Sequence, residues 1–335
     1  MNILLVCNYK PGVGGISGQV ELLQRYLRSE GHTADIFSTK ASVLRRLLLS
    51  FRLIRVAREY DVLHIHCCSG WGFLPAVVGV TVGRWMKKRL VLTYHGGGGE
   101  HFFDKNSCLV RHYLMRTDAN IVLSGFLAKI FDKHHLPYTI IPNIIELDDK
   151  QYRSRETLKP NFICTRAHEE LYNISCILRA FQKTLTELPE ATLTLVGDGS
   201  QHEELVNMTK EMGLTNVTFT GRVDNTEIYT YLDQFDIFLS SPTIDNMPVS
   251  VLEAMNAGLL VISSRVGGVP YMIRNGVNGL LFDSNDSNKL AELMLWSVEN
   301  QAIAKAIIQQ AHQSVRNYRW GSIKDKLYDA YGFSS

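Results

Sequence analysis

Two carboxylates, Asp245 and Glu253, stand on either side of a predicted helix start, with seven residues between them. The run DIFLSS is apolar and predicts a strand, PTIDNM predicts a turn, and PVSVLEAM predicts a helix with Pro248 in its first turn. Free backbone N–H groups and the positive end of the helix dipole meet at such a point. The residues from 246 to 249 are therefore a candidate cradle for an anion, with Asp245 at its edge.

Glu253 falls near the second turn of this predicted helix, among mostly apolar neighbours. Burying an unpaired carboxylate is costly, so such a group is normally solvated, ion-paired or hydrogen-bonded to donors. The hydroxyls of a ribose are donors of this kind. The alternative is that Glu253 points to solvent from an amphipathic helix.

This segment resembles the signature region of the family-4 retaining glycosyltransferases, whose hallmark is two glutamates with seven residues between them. Asp245 stands where the first glutamate is usual. The resemblance implies that Glu253 holds the ribose, and that Asp245 and the backbone after it hold the donor sugar and diphosphate. The backbone positions are Asn246, Met247, Pro248 and Val249.

The resemblance extends over nearly the whole chain. Gly197 follows a predicted strand in LTLVGDGS, and Arg222 and Val223 end VTFTGRV, where the nucleotide base of family members lies. Arg166 matches the residue that grips the phosphates. Tyr172 stands where a lysine is expected, and a tyrosine carries no positive charge at neutral pH. The two glycines of SSRVGGVP, Gly267 and Gly268, match a glycine pair that family members have beyond the signature helix. Tyr271, directly after this run, stands at a position that is commonly acidic.

Two features of the first half also match the family. Gly14 and Gly15 correspond to the loop that closes over the donor phosphates, and His95, followed by four glycines, corresponds to a histidine beside the donor sugar. A plain glycine turn and a loop histidine satisfied by its surroundings are the alternatives. His64 and His66 share one strand face without a third ligand nearby, so we predict no metal site there.

The glycines after the first strand could also indicate a dinucleotide fold. The GxGxxG fingerprint, counted from Gly12, has Ser17 at its sixth position, and DIFSTKAS offers only Asp35 as an acidic residue. NAD is therefore not expected. The six cysteines show no CxxC spacing, so we predict neither disulfides nor a zinc site.

The 335 residues exceed what one hydrophobic core usually serves, so two domains are expected. Predicted strands alternate with helices in both halves, which is the pattern of doubly wound parallel sheets. These strands are NILLVC, TADIFST, DVLHIHC, RLVLTYH, NIVLS and YTIIPN, then NFICT, TLTLVG, VTFTG, DIFLSS, LLVIS and GLLF. The polar composition of residues 145–160 predicts a linker.

The resemblance implies the α/β GT-B architecture, in which two Rossmann-like domains face each other across a cleft. We predict an acceptor-side domain at 1–145 and a nucleotide-sugar donor domain at 160–317. The final helix, about 318–335, is expected to pack back on the first domain.

The charge of the chain is divided unevenly. Residues 1–150 hold 19 Lys and Arg against 12 Asp and Glu, a balance of +7, which leaves −5 for the rest of a chain of net charge +2. The segment from Arg45 to Arg58 interleaves arginines with leucines and could lie on an anionic membrane; a core helix with a solvated basic edge is the alternative. No nucleic-acid-reading motif accompanies these charges, so nucleic acid is not an expected partner.

Together these observations predict a glycosyltransferase that moves a sugar with retention from a nucleotide donor, UDP- or GDP-linked, to a glycan or lipid-linked acceptor. A role in cell-surface polysaccharide synthesis is expected, and the sequence has no Asp-x-Asp metal motif, so no metal cofactor is expected. The chain lacks a basic leader, which predicts a cytoplasmic protein, peripheral on the inner face of the membrane if the basic segment docks there. The alternatives are a nucleotide-sugar epimerase or hydrolase, and a catalytically silent partner subunit.

Overall fold

The computed structural model describes residues 1–11, 15–40, 48–146, 151–224 and 226–333. The chain divides into two compact units. Unit 1 comprises Met1–Glu146 and Tyr318–Ser335, and unit 2 comprises Leu147–Asn317. Each unit has its own sheet and its own hydrophobic core.

Unit 1 is built on a parallel sheet whose described strands run in the order β2-β1-β3-β4-β5-β6. The strands are β1 (Asn2–Cys7), β2 (Thr33–Ser38), β3 (Val62–Cys67), β4 (Arg89–Tyr94), β5 (Ala119–Val122) and β6 (Thr139–Ile140). The helices are α1 (Ile16–Ser29), α2 (Leu49–Ala57), α3 (Leu74–Trp85), α4 (Gly99–Lys105), α5 (Ser107–Leu114), α6 (Gly125–Lys133) and, from the end of the chain, α14 (Trp320–Tyr331).

Helices cover both faces of this sheet, and its central strands are therefore nearly continuous apolar runs. All six residues of β3 are buried, His64 and His66 included. One face packs against α2 to α6, and the other packs against α1 and α14. Two contacts of Trp320 hold α14 against α1. Its ring stacks on that of Tyr26 with 5.2 Å between the ring centres, and its Nε1–H donates to Glu30 at 2.9 Å.

Unit 2 repeats this design with described strands in the order β12-β11-β10-β7-β8-β9, all parallel. The strands are β7 (Asn161–Cys164), β8 (Thr192–Val196), β9 (Val217–Gly221), β10 (Ile237–Ser240), β11 (Leu260–Ser264) and β12 (Leu280–Phe282). The helices are α7 (Ile174–Thr184), α8 (His202–Glu211), α9 (Ile228–Leu232), α10 (Val249–Asn256), α11 (Val269–Met272), α12 (Ser287–Glu299) and α13 (Gln301–Val315). The chain leaves β7 towards β8 on one side and returns to β10 on the other, so β7 and β10 flank the switch point where such sheets bind ligands.

The doubly wound α/β class predicted from the alternating strands and helices is confirmed in both units. One strand is much shorter than predicted, since YTIIPN contributes only Thr139 and Ile140 to β6. Both residues are exposed at the edge of the sheet, and Pro142 has no N–H with which to extend the ladder. Edge position and proline together explain why an apolar run forms so little strand.

The segment predicted as a linker, residues 145–160, contains the division between the two units, which falls between Glu146 and Leu147. Ile145 is buried in unit 1, and Arg155 and Leu158 are buried in unit 2, while residues 147–150 lie outside the described ranges. Polar composition suggested exposure, but Arg155 is an arginine with 5% of its surface accessible. The segment therefore connects the two units while some of its side chains are buried in them.

Arg155 links this segment to two helix ends. Its Nη1 donates to the carbonyls of Ala257 and Gly258 at 2.7 Å, just past α10, and its Nη2 donates to Phe235 at 2.6 Å, just past α9. Asp236 pairs with its Nε at 3.1 Å. Burial lowers the pKa of Arg155 to about 10, and the group remains a cation at neutral pH. One buried charge thus satisfies several carbonyls that water cannot reach.

We predict that Arg155→Met lowers the free energy of unfolding by about 3 kcal/mol, because it removes one of the two arginines that pair with Asp236 and the donor to the buried carbonyl of Gly258. Chemical denaturation followed by circular dichroism measures this loss. The control is Arg25→Met, which breaks an exposed ion pair with Glu146 at 2.9 Å and should cost less than about 1 kcal/mol. Equal losses in the two variants would contradict the role of Arg155.

Candidate active site

Arg166 and Asp245 form an ion pair at the switch point of unit 2. Arg166 lies two residues past β7 and Asp245 lies in the loop past β10, and the carboxyl ends of these adjacent strands meet at one edge of the sheet. The Nη2 of Arg166 donates to Asp245, and its Nη1 donates to Ser250 Oγ at 2.9 Å. The structure therefore brings together two predicted site residues that stand 79 positions apart in the sequence.

Both side chains of this pair are largely shielded from water, with 10% of Arg166 and 15% of Asp245 exposed. Burial is the largest single effect and opposes the charge on Arg166, but the combined attraction of nearby groups, led by the Asp245 carboxylate, outweighs it and raises the pKa of the guanidinium above its ordinary value. Arg166 is therefore a fixed cation at any physiological pH.

Two glycines allow the loops that carry this pair to approach closely. A Cβ on Gly197 would come within 2.3 Å of the carbonyl oxygen of Arg166, and one on Gly267 within 2.0 Å of that of Asp245. Both glycines have positive φ, and the N–H of Gly268 also donates to Asp245 at 2.9 Å. Gly197, predicted to bind the donor, thus shapes the backbone of Arg166.

The anion cradle predicted at residues 246–249 coincides with the start of α10, with one correction. The helix begins at Val249, and Pro248 precedes it as the capping residue in an extended conformation, with φ −66° and ψ 114°. Proline has no N–H, so Pro248 cannot donate to a phosphate, and its neighbours Asn246, Met247 and Val249 keep the backbone amides proposed for this role. No side chain of the described residues caps this helix start.

Glu253 lies one turn further along α10 and is partly buried. Burial raises the pKa of its carboxyl to about 7, an effect that the positive charge of Arg166 partly offsets. Within the described part of the chain, its carboxylate receives no hydrogen bond. The alternative in which Glu253 points to solvent does not agree with this burial. The carboxylate is instead a hydrogen-bond acceptor without a donor among the described residues.

Tyr172 contacts Arg166 through its ring rather than through its hydroxyl. The Cζ of Arg166 lies 4.0 Å from the centre of the Tyr172 ring. Tyr172 ends a short 3₁₀ helix, Glu170–Tyr172, directly before α7. Nothing in the sequence predicts this stacking, although the six-residue spacing does place the two residues in one loop region.

The proposed base-binding residues lie at the edge of the same sheet. Arg222 and Val223 follow β9, whose last residue, Gly221, accepts a hydrogen bond from Gly197 N–H at 2.9 Å. Arg222 is exposed and Val223 is partly buried. Gly197 therefore connects this edge to the loop that carries Arg166.

His95 in unit 1 follows β4 and is bonded to a second histidine. Its Nε2 lies 3.0 Å from Nδ1 of His66, beside a cavity of about 40 Å³. Burial lowers the pKa of His95 to about 4 and that of His66 well below its ordinary value, so both rings are neutral at pH 7. His66 is itself buried and also lines this cavity.

The glycine loop before α1 is only partly described. Gly15 precedes α1 with φ 69°, a conformation that favours glycine, whereas Gly14 lies outside the described residues. Among the residues described, no group of three or more His, Cys, Asp or Glu is arranged to hold a metal ion.

Comparison with known proteins identifies the family. The family model for Glycosyl transferases group 1 matches residues 146–314, and that for Glycosyltransferase Family 4 matches residues 36–149. The chain belongs to the group 1 glycosyl transferases. This glycosyltransferase is 25% identical to the N-acetyl-alpha-D-glucosaminyl L-malate synthase of Bacillus anthracis, over 80% of this chain and 74% of the relative. It is 30% identical to an uncharacterized 41.2 kDa protein in the cps region of Klebsiella pneumoniae, over 77% of this chain and 67% of that protein.

Solved structures confirm the GT-B fold of this glycosyltransferase. Anabaena HepE in complex with UDP superposes with a TM-score of 0.80 at 18% identity, covering 99% of this chain and 100% of that one. A sucrose-phosphate synthase from Thermosynechococcus elongatus superposes with a TM-score of 0.83 at 17% identity, covering 99% and 98%. The family-4 resemblance and the fold class read from the sequence are therefore both correct.

We predict that Glu253→Gln stabilises the ligand-free glycosyltransferase at pH 8. The folded pKa of about 7 lies above the ordinary 4.5, so the folded state loses stability as pH rises from about 4.5 to 7 and Glu253 ionises. An amide has no charge to desolvate, and the gain at pH 8 should be on the order of 1–3 kcal/mol, shrinking towards zero near pH 4.5. Denaturation at the two pH values measures it.

The control is Glu190→Gln, which changes an exposed carboxylate before β8 and should alter stability by less than about 0.5 kcal/mol at either pH. A Glu253→Gln variant that is less stable than the parent at pH 8 would show that the carboxylate is satisfied without a ligand.

Proposed function

We propose that this glycosyltransferase transfers a sugar with retention from a nucleoside diphosphate sugar to a glycan or lipid-linked acceptor in cell-surface polysaccharide synthesis. The observation that carries the proposal is the cluster of Arg166, Asp245 and Glu253 around the start of α10. A fixed cation, a helix N-terminus and a carboxylate without a donor are the groups that a nucleoside diphosphate requires.

Each part of the donor has a complementary group in this cluster. The diphosphate would accept hydrogen bonds from Arg166 and from the backbone at the start of α10, and the ribose hydroxyls would donate to Glu253. Ionised Glu253 would then gain the donors that it lacks in the free protein. Asp245, beside the phosphate site, would accept from hydroxyls of the sugar.

The proposed donor is UDP- or GDP-linked. Solved structures of Anabaena HepE are described as complexes with UDP, with UDP and glucose, and with UDP-glucose, which supports a nucleotide sugar and favours uridine. The cps-region relative from Klebsiella pneumoniae favours a polysaccharide product. An alpha-monoglucosyldiacylglycerol synthase of Streptococcus pneumoniae, 24% identical over 80% of this chain, favours a lipid-linked acceptor.

The geometry suits stabilisation of the leaving group. As the bond between sugar and phosphate breaks, negative charge grows on the diphosphate, and Arg166 and the start of α10 would stabilise that charge without rearranging. The acceptor would attack the face that the diphosphate leaves, with the departing phosphate taking the proton of the acceptor hydroxyl. The proposal assigns charge neutralisation to protein groups, without a metal cofactor.

Turnover with a panel of nucleotide sugars tests this function. Purified protein incubated with UDP- and GDP-sugars should release nucleotide only when a membrane lipid or glycan extract supplies the acceptor. Arg166→Ala should lower that turnover by about 100-fold, since the loss of one preorganised donor at developing charge costs about 3 kcal/mol. Nucleotide release that does not need an acceptor would indicate a hydrolase, and acceptor-independent conversion of the nucleotide sugar without release would indicate an epimerase. No turnover of any kind would indicate a silent partner subunit.

One surface of unit 1 has the composition of a membrane-docking site. We call this surface, formed by α2 and the end of α3, the basic face. Helix α2 buries Leu49, Leu53 and Ala57 and presents Arg52 and Arg55 to solvent. Phe51 on the same side is 71% exposed, and Trp85, at the end of the neighbouring α3, is 70% exposed. Exposed aromatic rings among cations are typical of surfaces that bind anionic lipid.

The sequence permits two interpretations of this segment, a membrane-docking helix or a core helix with a basic edge. The structure agrees with both, since α2 packs into the core on one side and presents basic residues to solvent on the other. Arg45 and Arg46 lie outside the described residues. No described helix is both long and apolar enough to cross a membrane. We therefore propose peripheral docking on an anionic membrane as the way a lipid-linked acceptor is reached.

The docking proposal predicts co-sedimentation with anionic liposomes, weaker binding to neutral ones, and release by salt. Exposed charges lose their attraction as the Debye length falls from about 10 Å at 0.1 M to about 3 Å at 1 M salt. Arg52→Glu combined with Arg55→Glu should abolish sedimentation. The matched control is Arg179→Glu with Lys183→Glu on α7, which changes net charge equally in unit 2 and should leave binding intact. Liposome binding that depends neither on lipid charge nor on the α2 substitutions would rule out this docking.

A further inference from the structure

The guanidinium of Arg166 is held from three directions. Asp245 and Ser250 each accept one of its N–H groups, and the ring of Tyr172 lies against its flat face at 4.0 Å. That distance is well within the range of about 6 Å over which a cation and an aromatic ring attract. The ring therefore adds a third contact that restrains the guanidinium.

Holding Arg166 in this orientation leaves one of its donors unpaired. Its Nε is buried and has no hydrogen-bond partner among the described residues. An unpaired buried N–H is unfavourable, so the contacts on the rest of the side chain must outweigh it. Arg166 is therefore held by Asp245, Ser250 and Tyr172 even though one of its buried donors has no partner among the described residues.

The backbone of Tyr172 is anchored to the loop that carries Asp245. Ser241 Oγ donates to the carbonyls of Tyr172 at 3.1 Å and Asn173 at 2.8 Å. The N–H of Thr243 donates to the carbonyl of Leu171 at 2.8 Å. The ring and the carboxylate that hold Arg166 are thus connected through one short loop, and neither can shift without the other.

We propose that Tyr172 is a positioning residue that orients Arg166 for the diphosphate by stacking, and that its hydroxyl is not needed for this. The inference rests on the proposed function, because it concerns the same donor site. A lysine at this position would add a second point charge, whereas the tyrosine adds none and instead restrains the only arginine of the cluster. A planar guanidinium stacks on a ring and keeps its N–H edge free for phosphate oxygens. Phosphate then meets a donor set that is already ordered.

Calorimetry with UDP and with uridine separates this role from a merely structural one. Tyr172→Phe keeps the ring, and its affinities for both ligands should stay within about twofold of the parent. Tyr172→Leu removes the ring and should weaken UDP about 10-fold while leaving uridine within about twofold, since stacking acts only through the phosphate-binding cation. Tyr172→Met, which has an unbranched apolar side chain, should behave like Tyr172→Leu and serves if the leucine variant folds poorly.

A double-substitution cycle locates the effect on Arg166. In the Arg166→Ala background, Tyr172→Leu should cause no further loss of UDP affinity. Leu171→Ala, which alters the 41%-exposed neighbour in the same short helix, is the matched control and should leave both affinities within about twofold.

Several outcomes would overturn the inference. Equal losses for UDP and uridine, a loss that persists without Arg166, or a phenylalanine variant as weak as the leucine variant would each do so. The proposed function would survive these results, because the parent protein would still bind nucleotide and turn over donor. A parent protein that binds neither UDP nor GDP would overturn both.

Discussion

Burying nine-tenths of a guanidinium is costly unless an opposite charge offsets the loss of water, and the proposed donor site of this glycosyltransferase depends on that constraint. Arg166 and Asp245 offset the cost of removing each other from water. The same pairing leaves Glu253, one turn along α10, as a carboxylate whose pKa is raised to about 7 by burial. The site without ligand is therefore electrostatically incomplete, and a nucleoside diphosphate would supply both the anion and the hydroxyl donors.

The fold supplies this arrangement through its topology. Strands β7 and β10 are neighbours in the sheet, although β8 and β9 separate them along the chain, so their carboxyl-terminal loops meet. Gly197 and Gly267 then let those loops pack against each other at distances that no side chain would permit. Binding chemistry in unit 2 thus follows from strand order and two positions without a Cβ.

Unit 1 combines a conventional core with an unusual surface. Its sheet is covered by helices on both faces. Burial lowers the pKa of His66 in β3 and of His95 in the loop after β4, so both histidines are neutral at pH 7. The basic face, by contrast, exposes Phe51 and Trp85 among arginines, although burial of such rings is generally favourable. An anionic membrane would cover these rings and balance the charges beside them.

The sequence alone determined the fold class and family, because strand and helix periodicities and the spacing of Asp245 and Glu253 are local features of the chain. It also predicted Arg166 as a site residue. Only the tertiary structure decided that Arg166 is paired with Asp245, that Tyr172 lies against it, and that Arg155 in the segment between the units is buried. Those facts depend on which distant loops meet at the edge of a sheet and on which side chains are buried. Residue types and their spacing along the chain determine neither.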